Sequence, residues 1–307
     1  AIAELLLFLN LRRVVPLRYV ECLKSYPHKG PSFHRVIHSF PLYLIKSGRI
    51  IVCIMLRKVP FAANECFHLY SRGVERRTIF LDTKDYERFM RLLFLCNNDN
   101  TTITDRFKNL SFKELVEKLK NEKPLVALGV YCLMPNHFHL LVKEAAAGGI
   151  SRFMKKLLTA YSMYFNKRHG RQGALFEGRF KSSHARSEAY INYLLSYIHL
   201  NPIKNIDPTW RDEGIRDVEQ AHEYLSEYSY SSYFDFTGTE RPESALLARN
   251  GGIFPESFWQ HAKFVDFLDT WLSYREKSEE PLPFEALLKA GEKALEKAGI
   301  ISTPVIQ

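Results

Sequence analysis

Two histidines, His137 and His139, stand one residue apart in YCLMPNHFHLLV, residues 131–142, a stretch that otherwise reads as a buried β-strand. Strand side chains alternate between faces, so both imidazoles project from one face, about 7 Å apart along the backbone, and Phe138 points to the other. Imidazole is a common ligand of divalent ions, so the pair can reach one ion, with a third ligand coming from elsewhere. The plainer alternative is a pair of surface or core histidines satisfied by hydrogen bonds, and a motif this short leaves both open. A strand that starts after a Pro-Asn turn is nevertheless a place where functional side chains are readily presented.

A second group lies in SEAYINYLLSYIHLNP, residues 187–202. Tyr190, Tyr193 and Tyr197 recur at i, i+3 and i+7, and Asn201 follows Tyr197 at i+4, so all four share one helical face. Aromatic packing accounts for Tyr190 and Tyr193. A search for a further ligand and a nucleophile leads to this helix.

The elements that must position these groups can be read from pattern. CFHLYSRGV (66–74) is a strand ending at Gly73, and DTKDYERFMRLLFLCNN (82–98) is a helix capped by Asp82 with an apolar stripe at Phe89, Leu92, Leu93 and Cys96. Residues 99–124 are read as an insertion containing a short amphipathic helix, opened by Ser111 and Glu114 at capping-box spacing. LVALGVYCLM (125–134) and HFHLLVKE (137–144) form two strands joined by Pro135-Asn136, short enough for an antiparallel pair. A helix with a Ser151 cap and a Gly170 stop follows, then a loop and strand over 173–185, then the tyrosine helix, stopped by Pro202. Strands interleaved with helices and joined partly by tight turns indicate an α+β sandwich around an antiparallel sheet. Residues 206–307 are looser, with an amphipathic terminal helix at 283–299.

The charge is unevenly spread. Lys and Arg outnumber Asp and Glu by 25 to 13 over residues 55–205, whereas acids outnumber bases by 19 to 10 over 206–307. A basic middle followed by an acidic extension fits a polyanionic partner for the middle, although net charge alone equally fits a solvated surface. No apolar run is long enough to span a membrane, and the cytoplasm is the expected location. The five cysteines are scattered and lack a CxxC pair, which argues against a disulfide framework or a cysteine zinc site. Residues 1–54 contain no Asp, start with Ala and show no sustained periodicity, and are read as a non-native N-terminal extension ahead of Met55.

Three ordered motifs, YCLMPNHFHLLV, GALFEGRFKS and YIHLNPIK, resemble those of the HUH single-tyrosine transposases of the insertion-sequence-200-like type, in the REP-associated tyrosine transposase branch. The resemblance covers about residues 55–205. It implies a ferredoxin-like (RRM-like) sandwich with a central antiparallel sheet as the catalytic domain, and the C-terminal extension beyond the resemblance is expected to be mostly helical. It also implies cutting and rejoining of single-stranded, hairpin-associated DNA through a 5′-phosphotyrosine. Carried over by position, His137, His139 and Asn201 would bind a divalent metal ion, Mg2+ or Mn2+, and Tyr197 would be the nucleophile, with Tyr161 and Tyr164 in AYSMYFNKRHG as rivals. Arg152, Lys155, Lys156, Lys167, Arg168, Arg171, Arg179 and Lys181 would supply phosphate contacts, salt-sensitive and mostly independent of sequence. The insertion and the acidic extension lie outside the shared core, and a monomer and a homodimer are both open. The competing expectations are an HUH nickase of the replication or mobilisation type and a hairpin-binding protein that does not cut.

Overall fold

The computed structural model describes residues 45–46, 49–50, 61–99, 107, 109–119, 122–254, 259 and 263–269. The chain forms two compact units, Ala1–Pro60 and Phe61–Gln307. In the first, Ile45–Lys46 and Arg49–Ile50 pair as two short antiparallel strands. The expectation for residues 1–54 otherwise lies outside the described residues, as does the terminal helix expected at 283–299.

The second unit runs β1 (Cys66–Arg72), α1 (Thr83–Leu95), α2 (Phe112–Leu119), β2 (Val126–Met134), β3 (His137–Glu144), α3 (Gly149–Arg168), β4 (Lys181–Ala185) and α4 (Glu188–His199). The four strands form one sheet in the order β2-β3-β1-β4, with every neighbouring pair antiparallel. One face is apolar: Phe67 and Leu69 of β1 and Phe138 and Leu140 of β3 are all buried. It is covered by α1 and α3, with Phe89 packing against Phe138 and Tyr161 at centroid distances of 5.0 and 4.9 Å. The opposite face carries His68, Tyr70 and Arg72 beside His137 and His139, and α4 lies over it, its Tyr197 ring against His139.

Local chemistry sets the helix ends. Asp82 accepts from the Asp85 amide, and Ser111 and Glu114 form the reciprocal capping box, with Glu114 N–H donating to Ser111 Oγ and Ser111 N–H to Glu114 Oε2. The helix α2 then buries Leu115 against Leu95 and Phe107, which fastens the insertion to the end of α1. The expected Ser151 cap is not used, because α3 begins two residues earlier, at Gly149. The buried Glu144 carboxylate accepts from the Ile150 amide there and places negative charge at the helix N-terminus. A side chain at 149 would meet the Leu125 carbonyl oxygen at 2.1 Å, so only glycine permits this start. At the other end of α3, Arg168 and His169 both reach Asp85, a fully buried carboxylate that also accepts from the Leu81 amide. The helix α4 ends at His199 rather than at Pro202, which sits at the start of a 3-10 turn over Asn201–Asn205.

Beyond that turn the chain continues through a helix, Val218–Glu227, and then lies along β2, an edge strand. Leu133 N–H donates to the Tyr230 carbonyl and Ser232 N–H to the Tyr131 carbonyl, which satisfies part of the edge. Arg241 closes the arrangement, paired with buried Asp235 at 2.6 Å and donating to the Tyr131 hydroxyl. No helix among the described residues is long and apolar enough to cross a membrane. Cys66, Cys96 and Cys132 are buried.

His199 joins α4 to this segment, its Nε2 lying 2.7 Å from Ser232 Oγ. Burial lowers its pKa to about 3. An unfolded histidine titrates near 6.5, so between that value and 3 the unfolded chain binds a proton that the folded one does not. The associated stability is present above pH 6.5 and is lost as the pH falls, by about 2 kcal/mol at pH 5. Urea unfolding at pH 7 and pH 5 should therefore show a smaller pH-dependent loss in His199→Gln than in the wild type, by about that amount.

Candidate active site

The face of the sheet that carries the histidines forms, with α4, an open cleft of about 400 Å³. Pairing register determines which strand residues enter it. Arg72 lies opposite His137 and Tyr70 opposite His139, while Lys181 of β4 lies opposite Tyr70 on the other side. Residues directly opposite one another in an antiparallel ladder share a face. His68 is diagonal to His139 and reaches it, Nε2 to Nδ1, at 2.8 Å. Burial lowers the His68 pKa to about 4, so this ring is neutral at pH 7.

The helix α4 delivers the remaining groups. Ser187 caps its start by accepting from the Tyr190 amide, and Tyr190, Tyr193, Tyr197 and Asn201 all line the cleft. The three rings form a stacked series, with centroids 5.9 Å apart between Tyr190 and Tyr193 and 5.6 Å between Tyr193 and Tyr197. Burial pushes the Tyr190 phenol above its ordinary pKa. Tyr197 meets the histidines directly, its ring edge-on to His139 at 5.5 Å and to His68 at 5.9 Å. Asn201 is buried and donates through Nδ2 to the Tyr197 carbonyl at 2.6 Å. It thereby satisfies one of the carbonyls that a helix leaves without a partner at its end, and the bond sets which way the amide points.

Two imidazoles and an amide make a nitrogen and oxygen donor set suited to a divalent ion. His137 Nδ1 is hydrogen-bonded to Asn136 and His139 Nδ1 to His68, the outer-shell arrangement that orients histidine ligands. On that chemistry the residues fit a metal. Among the described residues no group of three His, Cys, Asp or Glu side chains could hold one, so Asn201, or oxygens from outside the protein, would have to complete the set.

The expected phosphate-contacting residues divide. Arg179 and Lys181 line the cleft. Arg152, Lys155, Lys156, Lys167 and Arg168 lie on α3, and Arg171 just beyond it, in the layer on the other face of the sheet. Several of these have partners within the protein: Arg152 pairs with Asp99, Lys156 donates to the Asn98 carbonyl, Arg168 holds Asp82 and Asp85, and Arg171 bonds Asn166 and the Ala174 carbonyl. Lys155 and Lys167 are exposed. The cleft also contains His68, Tyr70, Arg72, Glu177 and Lys204, none of which the sequence reading singled out. A signal for three of them was present: His68, Tyr70 and Arg72 alternate along β1 as His137 and His139 do along β3.

The rival tyrosines are placed elsewhere. Tyr161 is fully buried among Phe80, Phe89 and Phe165, its hydroxyl donates to the Ile79 carbonyl, and burial pushes its pKa well above that of an ordinary phenol. Tyr164 donates to the Lys84 carbonyl beside Arg168, in the helical layer.

The segment that builds most of this cleft is that of a transposase. Residues 85–201 match the family described as "Transposase IS200 like", and this segment, with both histidines, Tyr197 and Asn201, belongs to that family. A solved structure, "Structure of the REP associates tyrosine transposase bound to a REP hairpin", is similar over 62% of this chain and 90% of its own, at 14% identity and a TM-score of 0.38. No curated protein matches the chain in sequence.

The two tyrosine environments predict opposite behaviour. Tyr161→Phe removes a buried hydrogen bond and should lower unfolding stability by about 1–2 kcal/mol. Tyr197→Phe, in an open cleft, should change it by less than about 0.5 kcal/mol. Denaturant titration of both variants measures the contrast.

Proposed function

We propose that this transposase cuts and rejoins single-stranded, hairpin-associated DNA through a covalent 5′-phosphotyrosine on Tyr197. The observation that carries the reading is the convergence, in one cleft, of His137 and His139 from β3 with Tyr197 and Asn201 from the end of α4. The strand order and the β-α-β-β-α-β succession support a ferredoxin-like reading of the domain that holds them.

In the proposed reaction, Arg72, Arg179, Lys181 and Lys204 hold the DNA backbone over the cleft by contacts that neutralise phosphate without reading bases. Tyr197 Oη, losing its proton, bonds to phosphorus while the bond to the 3′ oxygen breaks, and that oxygen leaves as a free 3′ hydroxyl. The link to tyrosine retains the phosphodiester energy, so a 3′ hydroxyl can later attack the same phosphorus, rejoin the strand and return the phenol. His137, His139 and Asn201 would hold a divalent ion, Mg2+ or Mn2+, which when bound polarises the scissile phosphate and offsets charge developing in the transition state. His68 and Tyr70 flank His139 and restrict its ring.

Incubation of the full chain with labelled hairpin-bearing single strands, with and without Mn2+, tests the reading. A covalent protein–DNA adduct that needs the metal and is lost in Tyr197→Phe is the expected result. An adduct that persists in Tyr197→Phe overturns the assignment of the nucleophile, and hairpin binding with no adduct across a panel of flanking sequences favours a protein that binds without cutting. In the same system, Lys181→Ala should weaken binding similarly for different sequences and reduce the salt slope by about 1.

A further inference from the structure

The tight turn that joins β2 to β3 ends in Asn136, immediately before the first histidine. Its Oδ1 lies 2.6 Å from His137 Nδ1, and its Nδ2 donates to the Arg76 carbonyl at 3.1 Å. The second bond settles the first. An amide oxygen only accepts and an amide nitrogen only donates. With Nδ2 committed to a carbonyl, Oδ1 faces the ring, and His137 Nδ1 must carry the proton. A neutral imidazole has one protonated and one unprotonated nitrogen, so the lone pair of His137 is then on Nε2.

The turn is well held. Asn136 accepts through its backbone carbonyl from the Gly73 amide at 2.9 Å, and the Pro135 carbonyl accepts from the Ile79 and Phe80 amides. A side chain at 73 would sit 2.4 Å from the Arg77 carbonyl oxygen, so a glycine is needed for the loop after β1 to approach this closely. Arg76, which supplies the carbonyl that anchors Asn136, has a left-handed backbone, φ 58°, within that loop. The second histidine is also engaged at Nδ1, by His68 Nε2 at 2.8 Å. Both rings of the pair are thus gripped at Nδ1 from within the protein, by neighbours supplied by two different elements.

We propose that Asn136 is a positioning residue for the transposase site: it holds His137 as the Nδ1–H tautomer so that Nε2 is the nitrogen offered to a divalent ion. This rests on the metal-binding reading given above. A histidine ligand that donates its second ring N–H to an acceptor is fixed in tautomer and orientation, and removal of such an acceptor typically weakens metal binding 10- to 100-fold. Asn136 would act through His137 and touch neither DNA nor metal.

Two measurements on the full chain test this, the first made without metal. Nitrogen-15 NMR of histidine-labelled protein, at a pH where His137 is neutral, should show Nδ1 protonated and Nε2 unprotonated in the wild type. It should show a shift toward the Nε2–H form in Asn136→Ala, and return of the Nδ1–H form in Asn136→Asp, whose carboxylate accepts the same hydrogen bond. Mn2+ titration followed by electron paramagnetic resonance should show about a 10- to 100-fold loss of affinity in the alanine variant, largely restored by aspartate. A wild-type His137 protonated at Nε2, or an alanine variant that keeps the Nδ1–H form, overturns the proposal whatever the fate of the metal reading. A tautomer shift with unchanged Mn2+ affinity overturns the positioning role and leaves the transposase reading intact. Absence of Mn2+ binding by the wild type overturns the metal reading and this role with it. The wild-type spectrum needs no variant to fold, so the test stands even if the alanine protein is unstable.

Discussion

The site depends first on the register between β1 and β3. Strand side chains have a period of two, and a slip of one residue would send Phe138 into the cleft and turn His137 and His139 into the helical layer. Several contacts work against such a slip. Phe138 and Leu140 are fully buried against residues of α1 and α3, and the turn before β3 is bonded by backbone to the loop after β1. The polar face is therefore fixed by the apolar one. Burying Phe138 is worth roughly 1.5–3 kcal/mol relative to exposure, more than any single hydrogen bond in the cleft contributes.

The other half of the site comes from a helix packed over the face that α1 and α3 leave uncovered, and it is positioned from behind. Buried Leu194, Leu195 and Ile198 hold α4 in place, while His199 reaches the segment that covers the edge of β2. That segment shares Ser232 between the Tyr131 backbone and His199, so one hydroxyl ties the sheet edge to the helix that carries Tyr197. The acidic character of residues 206–307 is in part structural, since Asp235 is used up by Arg241 and Ser244 within the packed region.

Much of this was legible in sequence because it is local. Apolar runs bounded by Gly73 and by the Pro135-Asn136 turn marked β1, β2 and β3, capping chemistry marked the starts of α1 and α2, and a spacing of three and four residues put the tyrosines and Asn201 on one face, as observed. The start of α3 was misjudged because its determinants are distant: the carbonyl of Leu125, which excludes a side chain at Gly149, and the Glu144 carboxylate, which does the work expected of Ser151. The basic residues show the same limit. Arg168 reads as a free cation until the fold brings Asp82 and Asp85 to it across more than eighty residues, whereas Arg72 and Lys204 were passed over because each is a single basic residue in its own stretch. His68 was missed because a lone histidine in a strand has no local partner to mark it. Its meaning lies in the diagonal neighbour His139, which only pairing supplies.

The end of α4 combines two electrostatic tasks that a flat surface would set against each other. Tyr197 and Asn201 lie at the C-terminal end of the helix, where unpaired carbonyls and the helix dipole make the local field negative and favour a cation. A phosphate brought to the same place would be repelled by that field. The neighbouring strands and turn counter this, since Arg72, Arg179, Lys181 and Lys204 line the cleft beside the imidazoles. The cleft thus has a cation-favouring helix end beside several basic side chains, an arrangement that suits the proposed pairing of a divalent ion with a phosphate. Asn201 connects the two halves, because the hydrogen bond that orients its amide is the same one that caps the carbonyl of Tyr197.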